Sequence, residues 1–298
     1  MIDPRALRTF HEVCRAGSIS AAARVLNIAQ PSVSNAIALL EARLGARLFE
    51  RTRQGIVLTP AGEALRARAA ILDHLLRDAE AEVAAAVQGV AGPLRVGGTP
   101  GALVSLLPRA LGVLEAAHPG LSLNVLERPD GELTDLLREG AIDLACVTTD
   151  IEAPPADMAE RTFARDPFAL IVGPANAALP ERLSLAMAED LAWVLPEARG
   201  GFRRQVDALF LAAGVPAPRN VVRCDSLLTT KAIVRGGARV TILPMHVAKA
   251  ELSIGVLRAI RLEEARFERS VGLRWVKGRP LSPLAGAMMA ALESMHSQ

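Results

Sequence analysis

Residues 17–62, GSISAAARVLNIAQPSVSNAIALLEARLGARLFERTRQGIVLTPAG, constrain the fold of this chain most, because they read as two short helices, a basic hairpin and a Pro-led helix start in immediate succession. Ser18 is placed to cap a helix running through Ala21 to Leu26, its hydroxyl oxygen accepting from an otherwise unpaired N–H of the first turn. Asn27 to Ala29 make a tight turn. Pro31 suits the first turn of a second helix, where its missing N–H costs nothing. On that helix Val33, Ile37, Leu40 and Leu44 recur at four, three and four residues and share one face. Ser32, Ser34, Asn35 and Ala38 point the other way. This second face is small and polar, so it can approach base edges closely, and Gln30 and Asn35 carry the paired donor and acceptor that suit adenine. Periodicity alone fits an ordinary amphipathic surface helix equally well.

The residues after this helix shift the balance. Arg43, Arg47, Arg51 and Arg53 crowd a stretch in which Leu48, Phe49 and Ile56 to Leu58 flank Gly55, the pattern of a β-hairpin. The first 60 residues hold eight Arg against four acidic residues, whereas residues 61–92 hold three basic and five acidic, and the whole chain is only +2. Positive charge is therefore concentrated where a phosphate backbone would lie.

Residues 5 to 88, and more loosely the whole chain, resemble the LysR-type bacterial transcriptional regulators, whose N-terminal pattern fits the stretch from Gly17 to Thr52 and the subsequent LTPAG nearly position by position. The resemblance implies a winged helix-turn-helix with a long linker helix, followed by an α/β two-lobed effector-binding domain resembling periplasmic solute-binding proteins. It places base-groove contacts on Gln30, Pro31, Ser32, Ser34 and Asn35, with Ser18 in the same DNA-binding set, and backbone or minor-groove contacts on Arg51 and Arg53. One departure concerns Ala29, which stands where the family usually has Ser or a similar capping residue. The missing oxygen should weaken the start of the second helix by about 0.5–2 kcal/mol unless Gln30 substitutes.

Thr59 and Pro60 open the next helix as N-cap and first helical residue. Leu65, Ala69, Leu72, Leu76, Ala79, Val83 and Ala86 then recur alternately at four and three residues, a narrow apolar seam that calls for a partner helix. A helix packed on its own domain is the competing reading. Family members dimerise here, so the resemblance implies a homodimer assembling to a homotetramer, and an operator that is an interrupted inverted repeat. The domains expected are 1–59 for DNA binding, 60–88 for the dimerising linker helix and 89–298 for effector binding. Within the last, lobe 1 takes about 93–165 and 269–298, and lobe 2 about 166–268.

Beyond the break at Gly89 to Pro93, short apolar runs alternate with helical stretches: LRVGG, Leu103 to Ala117, LSLNVLE, Gly131 to Glu139 and AIDLACVTT. That spacing argues for a parallel α/β sheet. A second set comprises FALIVG, LAWVL, a helix from Phe202 to Ala213, NVVRCD, a helix from Ser226 to Arg235 and RVTILP. VLRAIRL, ERSVGLRWV and a helix from Ser282 to Met295 complete the chain, and strands crossing between two sheets near Asp166 and Glu268 would account for them. Periodicity alone gives α/β and leaves the two lobes to the resemblance.

Ligands of open α/β sheets sit at the carboxyl ends of strands, beside helix N-termini. Thr99, Pro100 and Gly101 come directly after the first such strand and start a helix, a small anion-ready turn. Thr148 ends another strand, Arg199, Gly200, Gly201 and Phe202 precede a helix, and Ser226 begins one. By resemblance Thr99, Thr148, Gly201 and Phe202 lie where inducers, commonly small organic acids, are held, and Pro100, Gly200 and Ser226 complete the expected effector set. Helix caps and turns are the alternative reading of each. Phe202 and Trp193 leave room for a stacked aromatic inducer.

The N-terminus reads as the first amphipathic helix, with no signal peptide, and no uninterrupted apolar run looks long enough to span a bilayer, so a cytoplasmic protein without membrane partners is expected. Cys14, Cys146 and Cys224, expected inside a helix and two strands, are too scattered for disulfides or a metal site. The five His are dispersed, and neither a nucleophile elbow nor a phosphate-cradling loop appears, so no catalytic residue and no cofactor is expected. Promoter DNA, an inducer and RNA polymerase are the implied partners. A two-lobed small-molecule-binding or transferase protein, with an N-terminal module that only dimerises, is the alternative.

Overall fold

The computed structural model describes residues 1–52, 55–88, 92–197, 200–265 and 268–296. The chain divides into two units, Met1–Pro93 with Asp135–Ile142, and Leu94–Thr134 with Asp143–Gln298.

The first unit begins with α1 (Pro4–Ala16), α2 (Ile19–Leu26) and α3 (Gln30–Leu44), continues through a hairpin of β1 (Phe49–Thr52) and β2 (Gly55–Leu58), and ends in α4 (Pro60–Gln88). Ser18 caps α2 as expected, its Oγ accepting from the Ala21 N–H at 3.1 Å. Asn27 closes the same helix in the left-handed region, at φ 54°, a conformation Asn tolerates better than most residues. Leu7, Phe10, Val13, Ala22, Ala23, Val33, Ile37, Leu40, Leu48 and Ala69 form one core, and the Phe10 and Phe49 rings meet at 5.2 Å. Leu44 departs from the expected apolar face: it is 38% exposed in the last turn of α3.

Thr59 joins hairpin to α4. Its hydroxyl donates to the Arg47 carbonyl at 2.7 Å and accepts from the Gly62 N–H at 3.0 Å. The glycine of the LTPAG motif has a steric cause here, since a Cβ at Gly62 would lie 2.2 Å from the Leu48 carbonyl oxygen. Along α4 the seam splits. Leu65, Ala69 and Leu72 pack into the unit's own core, while Leu76 is half-buried and Ala79 and Val83 are exposed, as are Leu75 and Val87 beside the seam. The side chain of Ala86 lies outside the described residues. Asp73, buried on α4, bonds Arg77 and lies 3.3 Å from Arg8 of α1. Burial alone would raise its carboxyl, but the hydrogen bond from Arg77 and the nearby cations hold it below its ordinary value.

The second unit contains β3 (Leu94–Gly98), α5 (Pro100–Ala117), β4 (Leu123–Glu127), α6 (Asp130–Glu139, which runs into the segment counted with the first unit) and β5 (Leu144–Thr148). Then come β6 (Met158–Val172), β7 (Arg182–Leu183), β8 (Trp193–Leu195), α7 (Gly201–Ala212), β9 (Val221–Arg223), α8 (Leu227–Gly236) and β10 (Thr241–Pro244). The described chain closes with α9 (Lys249–Ser253), β11 (Arg258–Leu262), β12 (Glu268–Val276) and α10 (Pro283–His296). The eight-stranded sheet runs β4-β3-β5-β12-β6-β11-β7, with β10 also pairing β6.

The parallel arrangement expected of the first set of runs forms, within a sheet that is mixed as a whole. β3, β4 and β5 are parallel, as βαβ connections require, but β12 is antiparallel to both β5 and β6, and β10 and β11 are antiparallel to β6. The first part of β6 pairs β12 and its last part pairs β10 and β11, with Arg269 opposite Asp166 and Glu268 opposite Pro167 where the ladders change over. The apolar run FALIV is explained by burial on both faces: Phe168, Leu170 and Val172 enter one core, and Ala169 and Ile171 the other.

By length and composition α5 is long and apolar enough to cross a membrane, although Arg109 and Glu115 interrupt its apolar run. It carries Pro108 in its interior and buries Ala102, Leu103, Ser105, Leu106, Ala110 and Leu114 within the unit, the pattern of a helix with one face on a core.

Candidate nucleic-acid interface and ligand cleft

The two faces of α3 separate as their spacing requires. Val33, Ile37 and Leu40 are buried, while Gln30, Pro31, Ser32, Asn35 and Ala38 are exposed and Ser34 is half-buried. Ala29 is the N-cap, and no side-chain oxygen accepts from the helix start. Gln30 does not replace it, because its Oε1 lies 3.2 Å from the Ser20 hydroxyl of α2. That contact ties the first residue of α3 to α2 instead. The hairpin register pairs Phe49 with Leu58 and Arg51 with Ile56, so the strand carrying Arg51 forms as expected. Arg53 lies outside the described residues, as does the Arg51 side chain.

In the second unit a cleft of about 780 Å³ is lined by residues of both parts of the sheet. Of the expected effector set, Thr99, Pro100, Thr148, Gly200, Gly201 and Phe202 line it. Ser226 does not line it. Its hydroxyl is occupied as the N-cap of α8, accepting from the Thr229 N–H at 3.3 Å. Arg199 lies outside the described residues. Thr99 is the N-cap of α5, but its side chain makes no capping bond, and its buried Oγ1 has no hydrogen-bond partner among the described residues.

Trp193 is excluded from any stacking role in the cleft. It is fully buried, its indole N–H donates to the Ala188 carbonyl at 3.2 Å, and its ring meets Phe210 edge-on at 5.4 Å. Phe202 stays at the cleft, stacked at 6.4 Å on Phe168.

Sequence reading missed the most unusual lining residue, Arg269. It is only 3% exposed, its Nε and Nη2 donate to the Thr148 hydroxyl at 3.1 and 2.8 Å, and its charge sits 6.0 Å from the Phe202 ring centre. Burial pulls its guanidinium down to about 10 against a partial counter-effect from Asp166. The Asp166 carboxylate is itself occupied, accepting from the His246 backbone N–H at 3.0 Å and facing the His246 Nδ1 at 3.0 Å. A signal was available. In β12 Arg269 shares the two-residue period of Val271 and Leu273, both fully buried, so alternation already placed it on an inward face.

The cysteines fall differently from expectation in one case. Cys14 is in α1 and Cys146 in β5, but Cys224 lies one residue beyond β9, at the cleft. Burial pushes the Cys14 and Cys146 thiols up to about 12.

Residues 4–63 match the bacterial regulatory helix-turn-helix protein of the lysR family, and residues 88–296 match the LysR substrate binding domain. A probable hydrogen peroxide-inducible genes activator of Mycobacterium avium is 32% identical, covering 97% of this chain and 94% of the relative. The RuBisCO operon transcriptional regulator of Allochromatium vinosum is 28% identical, covering 96% and 94%. The crystal structure of CbnR, a LysR family transcriptional regulator, superposes with a TM-score of 0.72 at 23% identity over 99% of this chain and all of that one. The chain therefore belongs to the LysR family of DNA-binding transcriptional regulators, which pair a helix-turn-helix module with an effector-binding domain and are not enzymes.

Proposed function

We propose that this regulator reads promoter DNA through the exposed face of α3 and that a small organic acid, bound in the cleft of the second unit, modulates those contacts. The observation that carries the DNA half is the division of α3: Gln30, Ser32 and Asn35 are exposed while the opposite positions are buried. Gln30 and Asn35 supply base-edge contacts, and Pro31, Ser32 and Ser34 let the helix approach closely. Arg51 and Arg53 neutralise phosphates, and Ser18 anchors the helix that supports α3.

The exposed Leu75, Val83 and Val87 support dimerisation through the later turns of α4. A homodimer, itself pairing to a tetramer, then presents recognition helices to successive major-groove faces of an interrupted inverted repeat. The domains take the boundaries 1–59, 60–88 and 89–298, and the change of ladder partners at Asp166 and Arg269 supports lobes of 93–165 with 269–298 and of 166–268. Inducer binding changes the spacing between paired DNA sites, and with it DNA bending and contact with RNA polymerase in the bacterial cytoplasm. The ligand must bind the two assembly states unequally for this to work.

Peroxide sensing, named for one relative, is not carried over to Cys14 or Cys146. Burial pushes both thiols up to about 12 and so disfavours the thiolate, which is the reactive form.

The test is promoter binding by the full-length protein across a salt series, with and without candidate inducers. Affinity should fall steeply with rising salt, and an inducer should alter the footprint or bending. A protein that shifts no promoter fragment at low salt contradicts the reading.

A further inference from the structure

Among the arginines that line the cleft, Arg269 stands apart. Arg274 meets Glu160 at 2.6 Å and Asp130 at 3.3 Å, Arg203 meets Asp207 at 2.8 Å, Arg204 meets Glu152 at 3.4 Å, and Arg128 meets Glu132 at 3.6 Å. Arg269 is only 3% exposed, yet among the described residues its only hydrogen-bond partner is the neutral Thr148 hydroxyl, no carboxylate lies within 4 Å, and Asp166 offsets its burial only in part. A buried cation in this position is costly until an anion reaches it.

Its surroundings sharpen that demand. A Cβ placed on Gly101 would lie 2.6 Å from the Arg269 Nη1, so the guanidinium rests against the first turn of α5. That turn is the positive end of an 18-residue helix dipole, which repels a cation and attracts an anion. In the same turn the buried Thr99 hydroxyl has no partner among the described residues. A guanidinium edge, a helix N-terminus and an orphan hydroxyl therefore converge with no negative charge between them. Among the described residues the other four lining arginines are already matched by Asp130, Glu132, Glu152, Glu160 and Asp207, so a second negative group on the same ligand would meet no unmatched cation.

We infer that Arg269 is the anion anchor of the cleft and that the effector is a monoanionic carboxylate, its charge neutralised by Arg269 with the Thr99 hydroxyl and the α5 N-terminus, rather than a dicarboxylate or a neutral molecule. This rests on the cleft being the effector site and adds the residue and the charge class. Because Arg269 stands opposite Asp166 where β6 changes partners, the bound charge acts on the strand that joins the two parts of the sheet.

The experiment is thermal unfolding of the full-length protein at constant ionic strength with acetate, butyrate or benzoate, their amides acetamide, butyramide and benzamide, and succinate. The proteins are wild type, Arg269→Met and Gly101→Ala, the last of which presses on the guanidinium without changing its charge. The monocarboxylates should raise the wild-type unfolding temperature by about 2 °C or more at saturation, with smaller effects from succinate and the amides. Both variants should lose that response, and ligand-free Arg269→Met should unfold no earlier than wild type. If Arg269→Met does not fold, that last expectation has failed and the inference is overturned. Equal responses in wild type and variants, or no wild-type response to any monocarboxylate, overturn it as well. Promoter binding by the same preparations separates the two levels: intact DNA binding with stabilisation by amides alone removes Arg269 and leaves a ligand-responsive regulator, whereas loss of promoter binding in wild type removes the regulator reading itself.

Discussion

Ala29→Ser should stabilise the first unit, by an amount set by the start of α3. An N-cap hydroxyl accepts from the N–H of the second or third helical residue. In α3 the second is Pro31, which has no N–H, so only Ser32 can donate, and its N–H already bonds the Ala29 carbonyl at 2.9 Å. The new bond is shared rather than wholly gained, which places the benefit near the low end of the capping range, about 0.5–1 kcal/mol. For a unit of this size that is a rise of about 2–8 °C in its unfolding temperature. Calorimetry or far-ultraviolet circular dichroism is the assay, because the chain has no Tyr and both Trp, at 193 and 275, belong to the second unit. Ser18→Ala is the mirror control: its capping bond to the Ala21 N–H is unshared, so its loss should cost about 1 kcal/mol. An unchanged transition in Ala29→Ser beside a clear loss in Ser18→Ala would refute the reasoning about Ser32. No effect in either would refute the capping assignment altogether.

Further outcomes concern the network on α4, the LTPAG glycine and the cleft. The Asp73 carboxyl is depressed in the folded state, so its stabilisation is present above about pH 4 and is lost as pH falls through the folded value. Asp73→Asn should cost about 1–2 kcal/mol at neutral pH, since its Arg partners are half exposed, and should flatten the acid limb of the pH–stability curve. An acid limb as steep as in wild type would contradict this. Gly62→Ala should destabilise the first unit by about 3 kcal/mol, because its Cβ meets the Leu48 backbone carbonyl rather than a movable side chain; denaturant unfolding measures it, and a change below about 1 kcal/mol would show that the turn yields freely. Thr99→Val removes a buried hydroxyl that has no partner among the described residues, so ligand-free stability should be unchanged or slightly higher while the inducer response in a promoter-binding assay is lost; full induction would remove Thr99 from the site.

Much of this architecture was legible in local chemistry. The caps at Ser18 and Thr59, the prolines after them and the two-residue period of the strands each act within a few residues, so they show in the sequence as they show in the fold. The missed features depend on distant partners. The first part of β6, MAERTFARDP, mixes charges and a proline and does not read as a strand; it becomes one because β12, about 100 residues later in the chain, pairs with it from Met158 to Pro167. The same pairing takes Asp166 and Arg269 out of solvent, which two isolated charges in sequence do not announce. The apolar seam of α4 was visible as a stripe, but which residues turn inward was not: Leu65 and Leu72 pack into the core of the first unit, whereas Ala79 and Val83 are exposed. Ser226 looked like a ligand group because a serine at a helix start can cap or bind, and here it caps.

The most direct test of base reading by α3 is the affinity of Asn35→Ala for the operator and for a random duplex of equal length at one salt concentration. The loss should be about 1–3 kcal/mol on the operator and near zero on random DNA, with relaxed specificity at one base pair. Equal losses on both duplexes, or none on either, would mean that the exposed face of α3 does not enter the groove to read sequence.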